Sequence, residues 1–218
     1  MMQAELAAQN FTVLAVALDS NPEKARPWID AAKPTYPCLI DVDHRVAELY
    51  NFVNVPESVW IDEAGMIVRP QEPAGAYEGF RQMDRATFKV PDAAVATTAA
   101  ARQTYYAAVR DWAVNGAASR HVLGPGEARQ RLHTPGPEVA LAHAHFRLGR
   151  ALLRRGREAE AAAAFAEAQR LHPASWAMWR QTAPLDHRGF ATGEAFWSRV
   201  DALGDNRYYP KIEMDGMP

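Results

Sequence analysis

The first 70 residues alternate between short apolar runs and amphipathic stretches. Residues 11–18 form a continuous apolar run rich in β-branched side chains, and residues 38–40 form a shorter one. Such runs are typical of strands buried on both faces of a parallel sheet. Between and beside them, helical patterns are predicted for the end of a helix over residues 1–10, for residues 21–33 and for residues 46–50.

A strand–turn–strand pattern follows the third of these helices. Val59, Trp60 and Ile61 lead into the turn-forming sequence 62–65, and a second apolar stretch follows it. This pattern predicts a β-hairpin with Gly65 at positive φ. The predicted order β-α-β-α-β-β describes an α/β layered domain.

After residue 70 the pattern changes from α/β to helical. Helices are predicted over residues 77–88 and 93–115, and a helix pair over residues 139–171 is broken at Gly156. A third helix begins near Trp176, residues 116–137 form a loop with room for one turn, and the tail from Ala183 is rich in turn-forming residues. The predicted domains are an α/β domain over 1–70, a helical connector over 71–138, a helical hairpin with a capping helix over 139–182 and a tail over 183–218.

Composition narrows the function classes. The chain has 218 residues, 48% hydrophobic and 23% charged, with a net charge of -2. These values describe an ordinary globular protein with no electrostatic attraction to nucleic acid or to acidic membrane surfaces. No apolar run is long enough to span a bilayer, and residues 1–6 do not read as a signal peptide, so we expect a cytoplasmic location and no membrane contact.

Cys38 is the single cysteine. It cannot form an intramolecular disulfide or a cysteine-based zinc site, which fits a reducing compartment. Its position in a predicted strand favours a buried small hydrophobic side chain over a reactive thiol.

Four features of residues 1–70 occur together in one order. They are the strand 11–18 ending in Asp19, the strand 37–41, the helix 46–50, and the sequence Val55-Pro56-Glu57-Ser58 leading into the hairpin. In this order they resemble the thiol-disulfide thioredoxins of the TlpA/ResA type. The resemblance implies a thioredoxin-like fold and disulfide exchange by a Cys-x-x-Cys pair at the start of a helix, where the helix dipole lowers the pKa of the attacking thiol.

By this resemblance, three residues bind the substrate. Pro56 is the cis-proline, and the backbone of Val55 holds the partner peptide beside the reactive sulfur. Glu57 is placed to tune that thiol, or else it is a solvated charge at the start of a strand.

The sequence departs from this pattern where the chemistry takes place. Neither the cysteine pair nor the central strand before its helix is present in these residues, so no catalytic residue is assigned and the chain as given is expected to be inactive. Loss of a central strand leaves unpaired backbone groups. We therefore expect a segment upstream of Met1 that carries cysteine or selenocysteine, for instance behind an in-frame UGA that was taken for a stop.

Residues 142–175 resemble a tetratricopeptide (TPR) repeat. The small residues Gly149 and Ala161 and the aromatic Phe165 stand at the spacing of such a repeat, and Trp179 follows His145 by one 34-residue period. Repeats of this kind need neighbours for stability, so we expect the hairpin to pack either on the helix 93–115 or on the α/β domain.

The remaining candidates favour structural roles. Asp41, Asp43 and His44 are interpreted as a polar turn rather than a metal site, and His143 and His145 diverge on a helix. No metal and no cofactor is expected, and hydrolase and nucleotide-binding motifs are absent from the sequence. The C-terminal aromatic residues favour core packing over a docking surface; they are Trp176, Trp179, Trp197, Tyr208 and Tyr209.

The leading hypothesis is a thioredoxin-fold redox protein without its reactive segment, acting on a thiol or disulfide protein partner. The rival is a non-catalytic interaction module in which a degenerate thioredoxin fold and TPR-like helices dock a protein. A peroxiredoxin-like function is a third interpretation, and it too needs an upstream cysteine. The sequence does not distinguish a monomer from a homo-oligomer, and it identifies neither the redox partner nor the role of the aromatic tail.

Overall fold

The computed structural model describes residues 2–132, 134–186 and 191–218, which contain four strands and a larger set of helices. The strands are β1 Ala15–Ala17, β2 Cys38–Ile40, β3 Glu57–Ile61 and β4 Ile67–Pro73. The α-helices are α1 Met2–Glu5, α2 Pro22–Ala32, α3 Arg45–Leu49, α4 Asp92–Asn115, α5 Pro125–Arg131, α6 Pro137–Leu153, α7 Glu158–Leu171, α8 Trp176–Arg180 and α9 Glu194–Asp201. Short 3-10 helices occupy Ala7–Gln9, Gly79–Gln82 and Gly116–Ala118. A small sheet region followed by helices is the predicted order.

The chain forms two compact units, each built from two separate stretches of sequence. Unit 1 contains Met1–Val55 and His133–Pro184, and unit 2 contains Pro56–Leu132 and Leu185–Pro218. The domain boundaries after residues 70, 138 and 182 stay predictions. None of the described helices combines the length and the apolar character needed to cross a membrane.

The sheet of unit 1 consists of β1 and β2, which run parallel with Val16 opposite Leu39. β1 is shorter than the apolar run 11–18 that predicted it. The predicted helix after β1 is confirmed as α2: the Asn21 side chain accepts a hydrogen bond from the Glu23 N–H at 3.0 Å, and Pro22 occupies the first turn. Lys33, in the left-handed region, ends this helix.

The predicted helix pair broken at Gly156 is confirmed as α6 and α7. A Cβ on Gly149 would lie 2.7 Å from the ring of Phe165, so the glycine is what permits this close approach of the two helices. Their shared core contains Ala142, Phe146 and Met178. The third predicted helix is α8, and the Ser175 hydroxyl caps it by accepting from the Met178 N–H at 3.2 Å.

Of the two neighbours expected for this hairpin, the structure places the α/β residues in the same unit, while α4 belongs to unit 2. The Ala177 N–H donates to the Val53 carbonyl at 2.9 Å. The Gln181 carboxamide accepts from the Ser20 N–H at 3.1 Å and donates to the Leu18 carbonyl at 3.4 Å. The helical residues therefore hold the loop that follows β1.

Unit 2 begins with the predicted hairpin of β3 and β4, which pair antiparallel with an irregular register around Val59. The turn is the one the sequence predicts. Gly65 has a φ of 77°, and the Asp62 carboxylate accepts from the Ala64 and Met66 N–H groups at 3.0 and 2.8 Å.

The predicted helix over residues 77–88 is wrong. Only the 3-10 turn Gly79–Gln82 forms, and Asp84 then pairs with Lys89 across a tight loop. The Asp84 carboxylate accepts from the N–H groups of Ala86 and Thr87, which gives this backbone an alternative to helical hydrogen bonds. Phe88, at positive φ, is incompatible with a continuing helix.

Two helices of unit 2 lie in stretches that were predicted to be loop or tail. α5 starts with Pro125 in its first turn, where proline is favoured. α9 buries Phe196 and Val200, which are four residues apart and share one face. The abundant glycine and proline around both helices masked these patterns.

The close contact between Gly149 and Phe165 leads to a prediction about stability. We expect Gly149→Ala to lower the free energy of unfolding by about 1–3 kcal/mol, because the new methyl group overpacks the α6–α7 contact. Urea denaturation followed by circular dichroism measures this change. The matched control is Gly126→Ala in α5, where a Cβ meets no atom within 4 Å and helix propensity favours alanine. An unchanged or raised stability in Gly149→Ala would contradict the prediction.

Candidate functional site

The segment Val55–Glu57 spans the division between the two units. In unit 1, Val55 is 40% exposed and its N–H donates to the Asn54 side chain at 2.9 Å. In unit 2, the Pro56 carbonyl accepts from the Ala74 N–H at 3.3 Å, and Glu57 begins β3 opposite Pro73. The substrate-binding role of these three residues, and the cis bond before Pro56, stay predictions.

A buried hydrogen-bond network lies directly after Glu57, between β3 and α4. The Trp60 indole N–H donates to the Tyr105 hydroxyl at 2.8 Å, and the Ser58 hydroxyl lies 2.6 Å from the same oxygen. Trp60 also stacks on Trp112, with ring centroids 5.0 Å apart. Burial raises the pKa of Tyr105, and the nearby Glu72 carboxylate raises it further. Tyr105 is therefore a neutral phenol, and it holds β3 through the side chains of Ser58 and Trp60.

Arg69 of β4 extends this network on the other side of Trp60. Its guanidinium is 2% exposed and makes two parallel hydrogen bonds to the Glu72 carboxylate, each 2.8 Å long. It also donates to the carbonyls of His121 and Glu213 and lies 5.4 Å from the Trp60 ring centroid. Burial alone would lower the pKa of Arg69, but the bonds and attraction to Glu72 outweigh it and the pKa is raised. The buried charge is thus paired, and these four hydrogen bonds use four of its five N–H donors.

The turn after β2 uses its carboxylates for structure. The Asp41 carboxylate accepts from the N–H groups of Arg45 and Val46, each at 2.7 Å, and of Ala47 at 3.2 Å, so it caps α3. Asp43 pairs with Arg154 at 2.7 Å. Within residues 2–132, 134–186 and 191–218, no group of three His, Cys, Asp or Glu side chains is arranged to hold a metal ion.

The histidines and the cysteine are placed as follows. His44 and His143 are buried, whereas His145 is half-buried, which fits the prediction that His143 and His145 diverge. Cys38 is half-buried in β2 opposite Ala15, so it is a strand residue and does not begin a helix.

The C-terminal aromatic residues pack into the two units separately. Trp176 is buried in unit 1, where its ring centroid lies 5.7 Å from that of Trp179. In unit 2, Tyr208 is buried against Phe80, with centroids 5.0 Å apart, and Trp197 is half-buried. Core packing, the favoured interpretation, therefore holds for Trp176 and Tyr208, whereas Trp179, Trp197 and Tyr209 are half-buried.

Comparison with known proteins adds one observation. The model of the AhpC/TSA family matches residues 1–69. This match supports a thioredoxin-like, redoxin-type assignment for these residues, here called the redoxin region. Neither the search of curated proteins nor the search of solved structures found a match.

The redoxin region contains Val55, Pro56 and Glu57 together with Ser58, Trp60 and Arg69 of the buried network. Sequence reasoning missed the network because Tyr105 lies in α4, some 45 residues after Trp60. The available indication was Trp60 itself, since an indole N–H within a buried strand needs an acceptor.

The Tyr105 hydroxyl can be tested by removing one atom. We expect Tyr105→Phe to lower the free energy of unfolding by about 1–3 kcal/mol, because it leaves the Trp60 N–H without its acceptor in a buried site. A urea titration followed by the summed fluorescence of the six tryptophans measures this change. The matched control is the next residue, Tyr106→Phe, whose side chain is 40% exposed and whose stability should stay within about 0.5 kcal/mol of the native value. Equal stability of the two variants would contradict the assignment.

Proposed function

We propose that the redoxin region is the substrate-side part of a thioredoxin-fold thiol-disulfide oxidoreductase of the TlpA/ResA type, whose reactive cysteine or selenocysteine is outside residues 1–218. Val55, Pro56 and Glu57 then contact a thiol or disulfide protein partner. The redoxin-type family match supports the fold. The pairing of the strands, described next, supports a further strand and reactive helix outside these residues.

The observation that carries the proposal is that β1 and β3 each pair with one strand only among the described residues. The described residues form two separate two-stranded sheets, in which β1 pairs only with β2 and β3 only with β4. Each of these strands therefore has one edge without a strand partner within the described part of the chain. In the thioredoxin fold, one central strand pairs with both, and the redox-active helix follows that strand. Free edges of this kind are otherwise a liability for aggregation.

The chemistry then divides between two segments. The reactive helix supplies the thiolate, which attacks one sulfur of the partner disulfide while the other sulfur leaves as a thiolate. The residues of the redoxin region orient the partner peptide and supply no nucleophile, because Cys38 lies in a strand. The AhpC/TSA match does not separate this function from the peroxiredoxin-like alternative, which needs the same reactive segment.

A non-catalytic interaction module is the second candidate. We interpret α6, α7 and α8 as one TPR-like repeat with a capping helix, based on the Gly149–Phe165 contact. Leu141 and Leu148 are each 49% exposed and lie two turns apart on α6, on a surface that a further repeat or a partner helix would cover.

Two measurements test the redox proposal. Dithiothreitol-driven insulin reduction should proceed at the uncatalysed rate with residues 1–218 alone, because their single cysteine, Cys38, lies in a strand and has no second cysteine to pair with. The DNA upstream of Met1 should encode a strand followed by a helix that carries cysteine or selenocysteine, and the longer product should reduce insulin.

The outcomes separate the candidates. Catalysed turnover by residues 1–218 would overturn the assignment of the nucleophile to an outside segment. An upstream frame without such a segment, together with a cooperative, monomeric thermal unfolding of residues 1–218, would favour the interaction module. Aggregation or strand-exchanged dimers would favour the incomplete sheet.

A further inference from the structure

One face of α6 is polar where it meets α3 and the loops that follow β1 and β2. His143, Arg147, Arg150 and Arg154 recur at intervals of four, three and four residues and so form one stripe along the helix. Arg147 pairs with Glu48, the Arg150 guanidinium donates to the Ser20 carbonyl at 3.1 Å, and Arg154 pairs with Asp43 at 2.7 Å. The contact of α6 with α7, by comparison, is made of apolar side chains.

Three histidines are buried in and beside this polar contact. His44 is 2% exposed, and its ring lies 4.9 Å from that of Phe146 on α6. Neither of its ring nitrogens makes a hydrogen bond with a described residue, although the Gln181 side chain favours its protonated form. His143 and His172 are also buried, with ring centroids 6.2 Å apart.

Charged groups of both signs face these rings. At His44, the carboxylates of Asp41 and Asp19 favour protonation and Arg150 opposes it. At His143, Glu48 favours protonation, whereas His172, Arg147 and His44 oppose it. Burial outweighs the favourable charges and lowers the pKa of His44 and of His143 to about 4. Burial also lowers the pKa of His172.

Protonation is therefore linked to this contact with a definite sign. A histidine released into water titrates near its ordinary pKa of about 6.5, whereas His44 and His143 stay neutral down to about pH 4. Between these two values the released form binds protons that the packed form does not, so acidification favours release. The packed arrangement is fully favoured above pH 6.5, and its advantage falls as the pH drops toward 4.

We propose that the α6–α8 hairpin is a proton-controlled latch on α3 and on the loops that follow β1 and β2, held by this polar stripe and the three buried histidines and released by mild acid. Gln181 and Arg150 hold the loop at the carboxyl end of β1, so release frees the backbone groups of Leu18 and Ser20. Carboxyl ends of parallel strands are where open α/β sheets bind ligands. The latch thus controls access to that end of the β1–β2 sheet. This proposal does not depend on the redox function proposed above.

Hydrogen exchange with mass spectrometry on the whole chain tests the latch. Rates are compared at pH 7.5 and 5.0 after correction for intrinsic exchange. We expect the protection of α6 to fall at least about 30-fold at pH 5.0, which is the linkage factor for one histidine whose pKa rises from about 4 to about 6.5 on release. α4, in unit 2, should keep its protection.

Two variants sharpen the test. The triple variant His44→Asn, His143→Gln and His172→Gln should lose the pH dependence, and asparagine suits the left-handed backbone at position 44, where φ is 55°. His145→Gln, on the same helix but outside the polar stripe, should keep it. Equal protection of α6 at both pH values, or an equal loss in α4, would overturn the latch, as would a pH dependence that persists in the triple variant.

If the triple variant does not fold, the latch is tested on the wild-type protein, by following the histidine ring protons with nuclear magnetic resonance as the pH is lowered. Titration of His44 and His143 below about pH 5 in the packed state supports the latch. Titration of both near 6.5 rules it out.

Discussion

Backbone hydrogen bonding along strand edges is the constraint on which this structure depends. Every buried N–H and C=O group needs a partner, and a central strand finds its partners on both sides. Here β1 and β3 each have a strand partner on one side among the described residues. The other edges of β1 and β3 are where the strand proposed above would pair.

Within each unit, polar side chains connect the strands and the loops after them to the helices. In unit 2, Tyr105 fixes Ser58 and Trp60 of β3, and the paired charge of Arg69 fixes β4 to more distant carbonyls. In unit 1, the arginines of α6 reach the loops that follow β1 and β2. Such contacts are specific in geometry, but they are costly when one partner is removed or changes its charge. A buried histidine that gains a proton is a partner that changes its charge, and this is the basis of the latch proposed above.

Local patterns were reliable where a residue type has a local reason for its place. Asn21 caps α2, Gly65 takes the positive φ of the hairpin turn, and Gly149 lets α6 approach Phe165. The prediction over residues 77–88 failed because helical periodicity competed with the side-chain bonds of Asp84. α9 was missed because its neighbours are turn-forming residues, although Phe196 and Val200 have helical spacing.

The sequence by itself determined the order of the elements, the hairpin, the redoxin-type character of the first residues and the lack of a cysteine pair, because each depends on residues close together in the chain. Only the tertiary structure decided that residues 134–184 belong to the same compact unit as residues 2–55. It also decided that Tyr105 supports β3 and that His44, His143 and His172 are buried around one polar contact. These pairings join residues from about 30 to more than 100 positions apart, and no local pattern specifies them because the energy comes from burial and complementary charge that exist only after folding.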